Sequence, residues 1–204
     1  MTLFYRFARR LTAILRGILF RVTYEGKENL PTEGGYIVVC NHRSFLDPIL
    51  LSHAIPRQVY FMGKEELFHN RLLGFILGKL GVFAVNRGAG DMNVIDHAAD
   101  IIKRGDLLGI FPEGTRSKDG QPLRPKSGAA LVAKLSKADI IPCAILFDGK
   151  MAIGKKIRIK IGKPVPFQQL GFSDESASSL RRAAKAIMRH ITDLMELEEA
   201  SGEN

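Results

Sequence analysis

The chain of 204 residues has no tryptophan, four tyrosines and two cysteines. With no tryptophan, few tyrosines and an Arg-rich start patterned as an amphipathic helix, it lacks the signature of a base-stacking surface, so no nucleic-acid partner is expected. Cys40 and Cys143 each lie inside an apolar run, and neither has a second cysteine at ligand spacing. That excludes a zinc site and a disulfide framework and leaves two reduced core thiols. No metal and no resident cofactor are expected. Long hydrophobic runs are also missing: nothing approaches the roughly 18 uninterrupted apolar residues of a spanning helix, and no small-residue cleavage pattern follows an apolar core near the start. Neither a membrane span nor a signal peptide is expected, and there are no internal repeats or low-complexity tracts.

What is plentiful is positive charge. Thirty Lys and Arg against 21 Asp and Glu give a net charge of +9 and a pI near 9.7, a balance that points to an anionic partner: nucleic acid, a membrane surface or a phosphorylated substrate. The remaining composition is that of a folded chain able to bury one large core. The first acidic residue is Glu25. Ahead of it, Phe4, Phe7, Leu11, Ile14, Leu15 and Ile18 recur at three- and four-residue spacing, and Arg6, Arg9, Arg10, Arg16 and Arg21 fill the gaps. A core helix shows this spacing and a transit peptide this composition. Five arginines without a carboxylate are better explained by an amphipathic helix lying among anionic headgroups, where each Arg contributes about 1 kcal/mol. Residues 1–22 are therefore read as a membrane-associating helix and 23–204 as the folded domain.

Within that domain, apolar runs alternate with helical spacings. Strands are expected at 22–26, 36–40, 58–63, 81–87, 107–111, 140–147 and 156–162, and helices at 47–54, 91–103, 129–135 and from 174 to about 197, the last capped by Ser173 or Asp174. The segment 67–80 is helical in spacing but apolar nearly all round, which fits either a buried helix or a second patch inserted in lipid. Pro142 places its strand at a sheet edge or at a bulge. The acidic end, Glu196 to Glu203, reads as solvated. The alternation predicts an α/β fold: a central mixed, mostly parallel sheet with helices on both faces.

The chemistry gathers at strand ends. The run Tyr36–Cys40 stops at Asn41-His42-Arg43-Ser44-Phe45-Leu46-Asp47-Pro48, which reads as a strand, a short loop and a helix start with Asp47 as N-cap and Pro48 at the first helical position. If His42 and Asp47 touch, the carboxylate fixes the imidazole tautomer and makes the other ring nitrogen a better base. About one chain in four of this composition carries a His-x4-Asp spacing by accident, so the spacing alone leaves a cap and a dyad both open. The next strand ends carry Arg87, then Glu113, Gly114 and Arg116, with Lys126 opening a helix nearby. A base surrounded by cations suits transfer to a hydroxyl on a phosphate-bearing molecule.

Taken together, Asn41 to Asp47, Gly81 to Arg87, Phe111-Pro112-Glu113-Gly114-Thr115-Arg116-Ser117 and Ile141-Pro142-Cys143-Ala144-Ile145 resemble the four ordered motifs of the glycerolipid acyltransferase family, of the 1-acylglycerol-3-phosphate acyltransferase type. The resemblance spans roughly residues 36 to 147. It implies that Asp47 both caps its helix and pairs with His42, and that His42 is the general base on the sn-2 hydroxyl of lysophosphatidate. That oxygen attacks a thioester of CoA or acyl-carrier protein, with no acyl-enzyme and no need of Ser44. It further implies that Arg87, Thr115 and Arg116 bind the acceptor phosphate and glycerol, that Glu113 and Gly114 shape that site, and that Ile141 and Pro142 line the acyl region. Lys126 is a further phosphate candidate from its charge and position. Another acceptor of the same chemistry, glycerol-3-phosphate, a different lysophospholipid or a lyso-aminolipid, stays open. The expected location is peripheral or monotopic, on the cytoplasmic face of an anionic membrane.

Overall fold

The apolar run Ile37–Cys40 is fully buried with a strand on each side. The computed structural model describes residues 1–86 and 92–199 and forms one sheet of seven strands. They are β1 (Arg21–Glu25), β2 (Tyr36–Cys40), β3 (Val59–Lys64), β4 (Val82–Val85), β5 (Leu107–Ile110), β6 (Ile140–Leu146) and β7 (Lys156–Ile161), in the order β1-β7-β6-β2-β5-β3-β4. β2 pairs in parallel with β5 and β6, and β3 with β5 and β4. β6 and β7 are antiparallel, so β7 and its parallel neighbour β1 run against the other five. The mixed, mostly parallel sheet expected from the alternation is the one that forms.

Among the described residues six helices flank it: α1 (Leu3–Leu19), α2 (Asp47–Ala54), α3 (Arg71–Lys79), α4 (Met92–Lys103), α5 (Gly128–Ser136) and α6 (Ala177–Glu199). The period-two alternation of the strands divides the core between the two faces. Ile37, Val39, Ile101, Val132 and Ile187 pack on the side of α4, α5 and α6. Val38, Leu50, Leu51, Val59 and Ile159 pack on the side of α2. α3 lies on the α2 side as well: Phe68, in the turn before it, closes on Gly63, where a Cβ would stand 3.2 Å from that ring and 2.7 Å from Val82. This is where right-handed crossovers put α2 and α3 when successive strands step the same way along the sheet.

α1 is amphipathic the wrong way round for a core helix. Thr2 caps it by accepting from the Tyr5 amide at 3.2 Å. Its polar stripe faces the protein: Arg9 donates to the Pro56 carbonyl at 3.2 Å, Thr12 Oγ1 lies 3.0 Å from His53 Nε2, and Arg16 donates to the Tyr24 hydroxyl. The apolar stripe faces outward, with Phe7 66 %, Ile14 63 % and Ile18 73 % exposed. α3 exposes apolar surface on the same side, through Leu72 and Phe75, and none of its residues is buried. Of the two readings open for 67–80, the buried helix is thereby excluded, because the segment packs against the ends of β3 and β4 and leaves its outer face uncovered. No helix among the described residues is long and apolar enough to cross a membrane.

Two local expectations need correction, and one pair of alternatives is decided. Pro142 lies in an interior strand, not at an edge. Its missing N–H falls where pairing with β7 is interrupted: Gly162 donates to the Pro142 carbonyl at 2.8 Å without a return bond, and the ladder resumes at Ile140↔Val165, one residue out of step. That is a bulge-type interruption, as the proline allowed. Asp47 occupies the first helical position and Pro48 the second, and the Asp47 carboxylate turns back into the preceding loop instead of capping. α6 starts at Ala177, with Ser176 Oγ accepting from the Ser179 amide and Asp174 Oδ1 from the Ser176 amide. The expected start of α4 at Asp91 and the acidic end beyond residue 199 lie outside the described residues.

Candidate active site

The parallel strands β2, β5 and β6 deliver their C-terminal ends to one edge of the sheet, and the loops beyond them meet there. The corner after β2 is pinned from both sides. Asn41, buried, continues the ladder with its side-chain amide, donating to the Ile145 carbonyl at 3.0 Å and accepting from the Ile145 N–H at 2.8 Å. His42 donates its backbone N–H to Glu113 Oε1 at 2.8 Å and accepts at its carbonyl from the Ser117 N–H at 2.8 Å.

His42 Nδ1 lies 2.8 Å from Asp47 Oδ2. A carboxylate has no proton to give, so Nδ1 carries the hydrogen and Nε2 presents a lone pair outward. The same Oδ2 accepts from the backbone N–H groups of Arg43 at 2.6 Å and Ser44 at 2.7 Å. Asp47 is fully buried, and its Oδ1 has no partner among the described residues. The carboxylate is thus held by the five-residue loop it closes, and the imidazole cannot turn without losing it. On its other side the ring stacks on Phe111, centroids 4.1 Å apart and 19° between planes. Ser44 is buried, and its hydroxyl accepts from the Leu46 N–H at 3.2 Å, not from the imidazole.

Glu113 is buried beneath this corner, and both carboxylate oxygens are taken, Oε1 by His42 and Oε2 by the Leu123 amide at 3.0 Å. Burial pushes its pKa up, and the two backbone N–H bonds and the nearby His42 pull against that rise. Its contribution is to shape: it ties the loop after β2 to the loop after β5. Gly114 adopts a left-handed φ of 68°, and a Cβ there would stand 2.8 Å from Lys126 Cδ. Lys126 therefore lies along the glycine, its own N–H bonded to the Pro112 carbonyl at 2.8 Å. Arg116 is exposed and sits over the ring of Phe45, 3.4 Å from its centroid. Thr115 and Arg116 line a cleft of about 440 Å³ together with Arg43, Lys118 and Lys150. That cleft borders the dyad without including it.

The structure thus brings together His42, Asp47, Glu113, Gly114, Thr115, Arg116 and Lys126. Arg87 lies outside the described residues. Ile141 and Pro142 are buried near the start of β6 and line neither of the two clefts beside the corner. Their strand runs through the middle of the sheet, and its far end reaches the loops. Reading the residues alone missed three contributors. Asn41 was signalled by an amide ending a buried strand and Phe111 by an aromatic just before Pro112. Arg43 was signalled by a cation inside the corner, and it spans to the β6–β7 loop by donating to the carbonyls of Phe147 and Gly149.

Comparison with known proteins identifies relatives of this chain. A family model described as Acyltransferase matches residues 21–146. The chain is 32% identical over 195 residues to the 1-acyl-sn-glycerol-3-phosphate acyltransferase of Bacillus subtilis, covering 93% of this chain and 96% of that one. It is 29% identical to the protein of the same name from Streptococcus pneumoniae, covering 82% of this chain and 65% of that one. Among solved structures, the 1-acyl-sn-glycerophosphate (LPA) acyltransferase PlsC of Thermotoga maritima superposes with a TM-score of 0.70 at 26% identity, covering 94% of this chain and 78% of that one.

Proposed function

This chain belongs to the acyltransferase family, and we propose that it moves a fatty acyl group from acyl-CoA or acyl-carrier protein to the sn-2 hydroxyl of 1-acylglycerol-3-phosphate, giving phosphatidate. The observation that carries this reading is the His42–Asp47 pair, 2.8 Å apart at a strand-end corner bordered by cations. The acceptor is the one for which the relatives are named.

In the proposed mechanism His42 Nε2 takes the proton of the acceptor hydroxyl as its oxygen attacks the thioester carbonyl. The buried Asp47 carboxylate stabilises the imidazolium that forms. Collapse of the tetrahedral intermediate expels the thiolate, which recovers the proton from His42. Donor and acceptor react directly, so no acyl-enzyme forms and Ser44 is not a nucleophile. Arg116, Thr115, Lys126 and Arg87 bind the acceptor phosphate and glycerol, the guanidinium groups by paired charge-assisted hydrogen bonds. The outward apolar stripe of α1 and the exposed face of α3 rest in the lipid surface. Both lie on the α2 side of the sheet, and Phe45, 72 % exposed, continues that surface to the corner itself. Removing such Phe, Leu and Ile side chains from water yields about 1.5–3 kcal/mol each when burial is complete. The exposed Arg6 and Arg10 of α1 direct the protein to an anionic, cytoplasmic leaflet.

The test is an assay that crosses acceptors with both thioester donors and identifies products by mass spectrometry. Phosphatidate from lysophosphatidate, with little product from a neutral lysolipid, supports the reading. Transfer to glycerol-3-phosphate or a lyso-aminolipid in preference would move the acceptor and keep the chemistry. No transfer with either donor would overturn it.

A further inference from the structure

The proposed transfer needs a second substrate, and the inference here concerns that donor and rests on that reading. A larger cleft of about 840 Å³ opens at the β1–β7 edge, lined among others by Arg21, Lys156, Arg158, Arg43, Asp119 and Asp148. Strand alternation decides which way it faces. Ile157, Ile159 and Ile161, with Val22 and Tyr24, pack into the core on the α2 side. Arg21, Thr23, Lys156 and Arg158 therefore point to the other side, where Met195 of α6 supplies a wall.

Two features mark this cleft as a place for an anion. Arg21 and Lys156 are direct cross-strand partners, and both are exposed. Like charges directly opposite one another are unfavourable unless something negative lies between them. Of the two carboxylates in the lining, Asp119 is drawn into its own loop, Oδ1 accepting from the Ser117 hydroxyl at 2.9 Å and the Gln121 N–H at 3.1 Å. At its inner end the cleft shares Arg43, Gly120, Phe147 and Gly149 with the smaller cleft beside Arg116. Arg43 is the next residue after His42. A basic groove thus leads to the catalytic corner from the face of the sheet opposite α1 and α3. One substrate reaches His42 from the lipid side, and the groove serves a partner arriving from water.

We propose that this cleft binds the phosphate-bearing carrier of the acyl donor, the chemistry that CoA and the phosphopantetheine arm of an acyl-carrier protein share. Arg21 and Lys156 hold the phosphate, and the arm runs past Arg43 to bring its thioester to His42.

The test is calorimetric binding of coenzyme A and, separately, of holo-acyl-carrier protein to the full chain. Wild type is compared with the double variant Arg21→Glu/Lys156→Glu and with Lys103→Glu, at the other end of the sheet, as control. The expected result is binding of one or both ligands to wild type, weakened about tenfold or more in the double variant, with the control unchanged. The KM for lysophosphatidate should also stay the same. Loss with both ligands identifies the shared phosphate arm; loss with one identifies that carrier as the donor. Should the double variant not fold, Arg21→Gln and Lys156→Gln singly should each show a smaller loss of the same sign. Equal affinity in wild type and variants, no binding of either ligand to wild type, or an equal loss in Lys103→Glu would overturn the proposal. Unchanged affinity in an enzyme that still makes phosphatidate removes the cleft alone, whereas weakened binding in a protein without transfer activity removes the proposed reaction alone.

Discussion

Asp47 Oδ2 lies 2.8 Å from His42 Nδ1 while accepting two backbone N–H groups from the loop between them. One oxygen therefore fixes both the imidazole tautomer and the backbone that carries it. Asp47→Asn offers an amide where three donors converge. Activity should fall by about 10³–10⁴-fold as the ring adopts the wrong tautomer, and stability by about 1–3 kcal/mol for the unmet donors. Steady-state kinetics and urea denaturation on the same preparation check both.

Glu113 acts on the same histidine from below, through its backbone. Glu113→Gln keeps the length but turns an NH₂ toward one of two N–H donors. The expected outcome is a loss of about 1–3 kcal/mol in stability and a fall in kcat larger than any rise in acceptor KM. An acceptor KM effect alone would instead mean direct substrate contact.

Gly114→Ala places a methyl group at a left-handed φ and within 2.8 Å of Lys126 Cδ. Strain of about 1–2 kcal/mol is expected. Lys126 must also move, so the KM for a phosphate-bearing acceptor should rise several-fold with a smaller change in kcat.

His53 lies between α1 and α2, facing Thr12, with Arg9 and Arg16 nearby. Burial and then those two arginines lower its pKa to about 4. The unfolded chain binds the proton near pH 6.5. Between about 6.5 and 4 the unfolded state therefore holds more protons, and stability falls as pH falls through that window. His53→Gln should flatten the dependence of Tm on pH there, leaving the neutral-pH activity intact.

Leu11→Asp with Ile18→Asp alters side chains that point away from the protein. Binding to anionic vesicles in a sedimentation assay should be largely lost while Tm stays within a few degrees of wild type. Substitution is a cleaner test than deleting α1, because deletion would uncover His53, Pro56 and Tyr24 as well.

The strand Tyr36–Cys40 was legible because its apolar run is short and ends abruptly, and the Glu113 loop because its strand repeats that design. The alternation of strands and helices then placed both loops at one sheet edge. The direction of the Asp47 carboxylate was not legible: a cap and a backward turn use the same residue at the same helix start, and only the Arg43 and Ser44 amides decide between them. α1 displayed two stripes, but periodicity does not say which stripe meets the protein. Pro142 left edge and bulge open, because a single missing donor is also tolerated inside a sheet where the neighbouring strand departs. The partners of Glu113 were not legible, because the amides of His42 and Leu123 lie 71 and 10 residues away.

The central claim is that His42 is the base for direct attack by the acceptor hydroxyl, and kcat/KM for lysophosphatidate acylation in His42→Ala, beside Ser44→Ala, tests it most directly. His42→Ala should lose about 10²–10⁴-fold with Tm little changed, while Ser44→Ala keeps most of its activity and no acyl-enzyme accumulates with donor alone. Activity of His42→Ala within tenfold of wild type, or an acyl group trapped on Ser44, would contradict it.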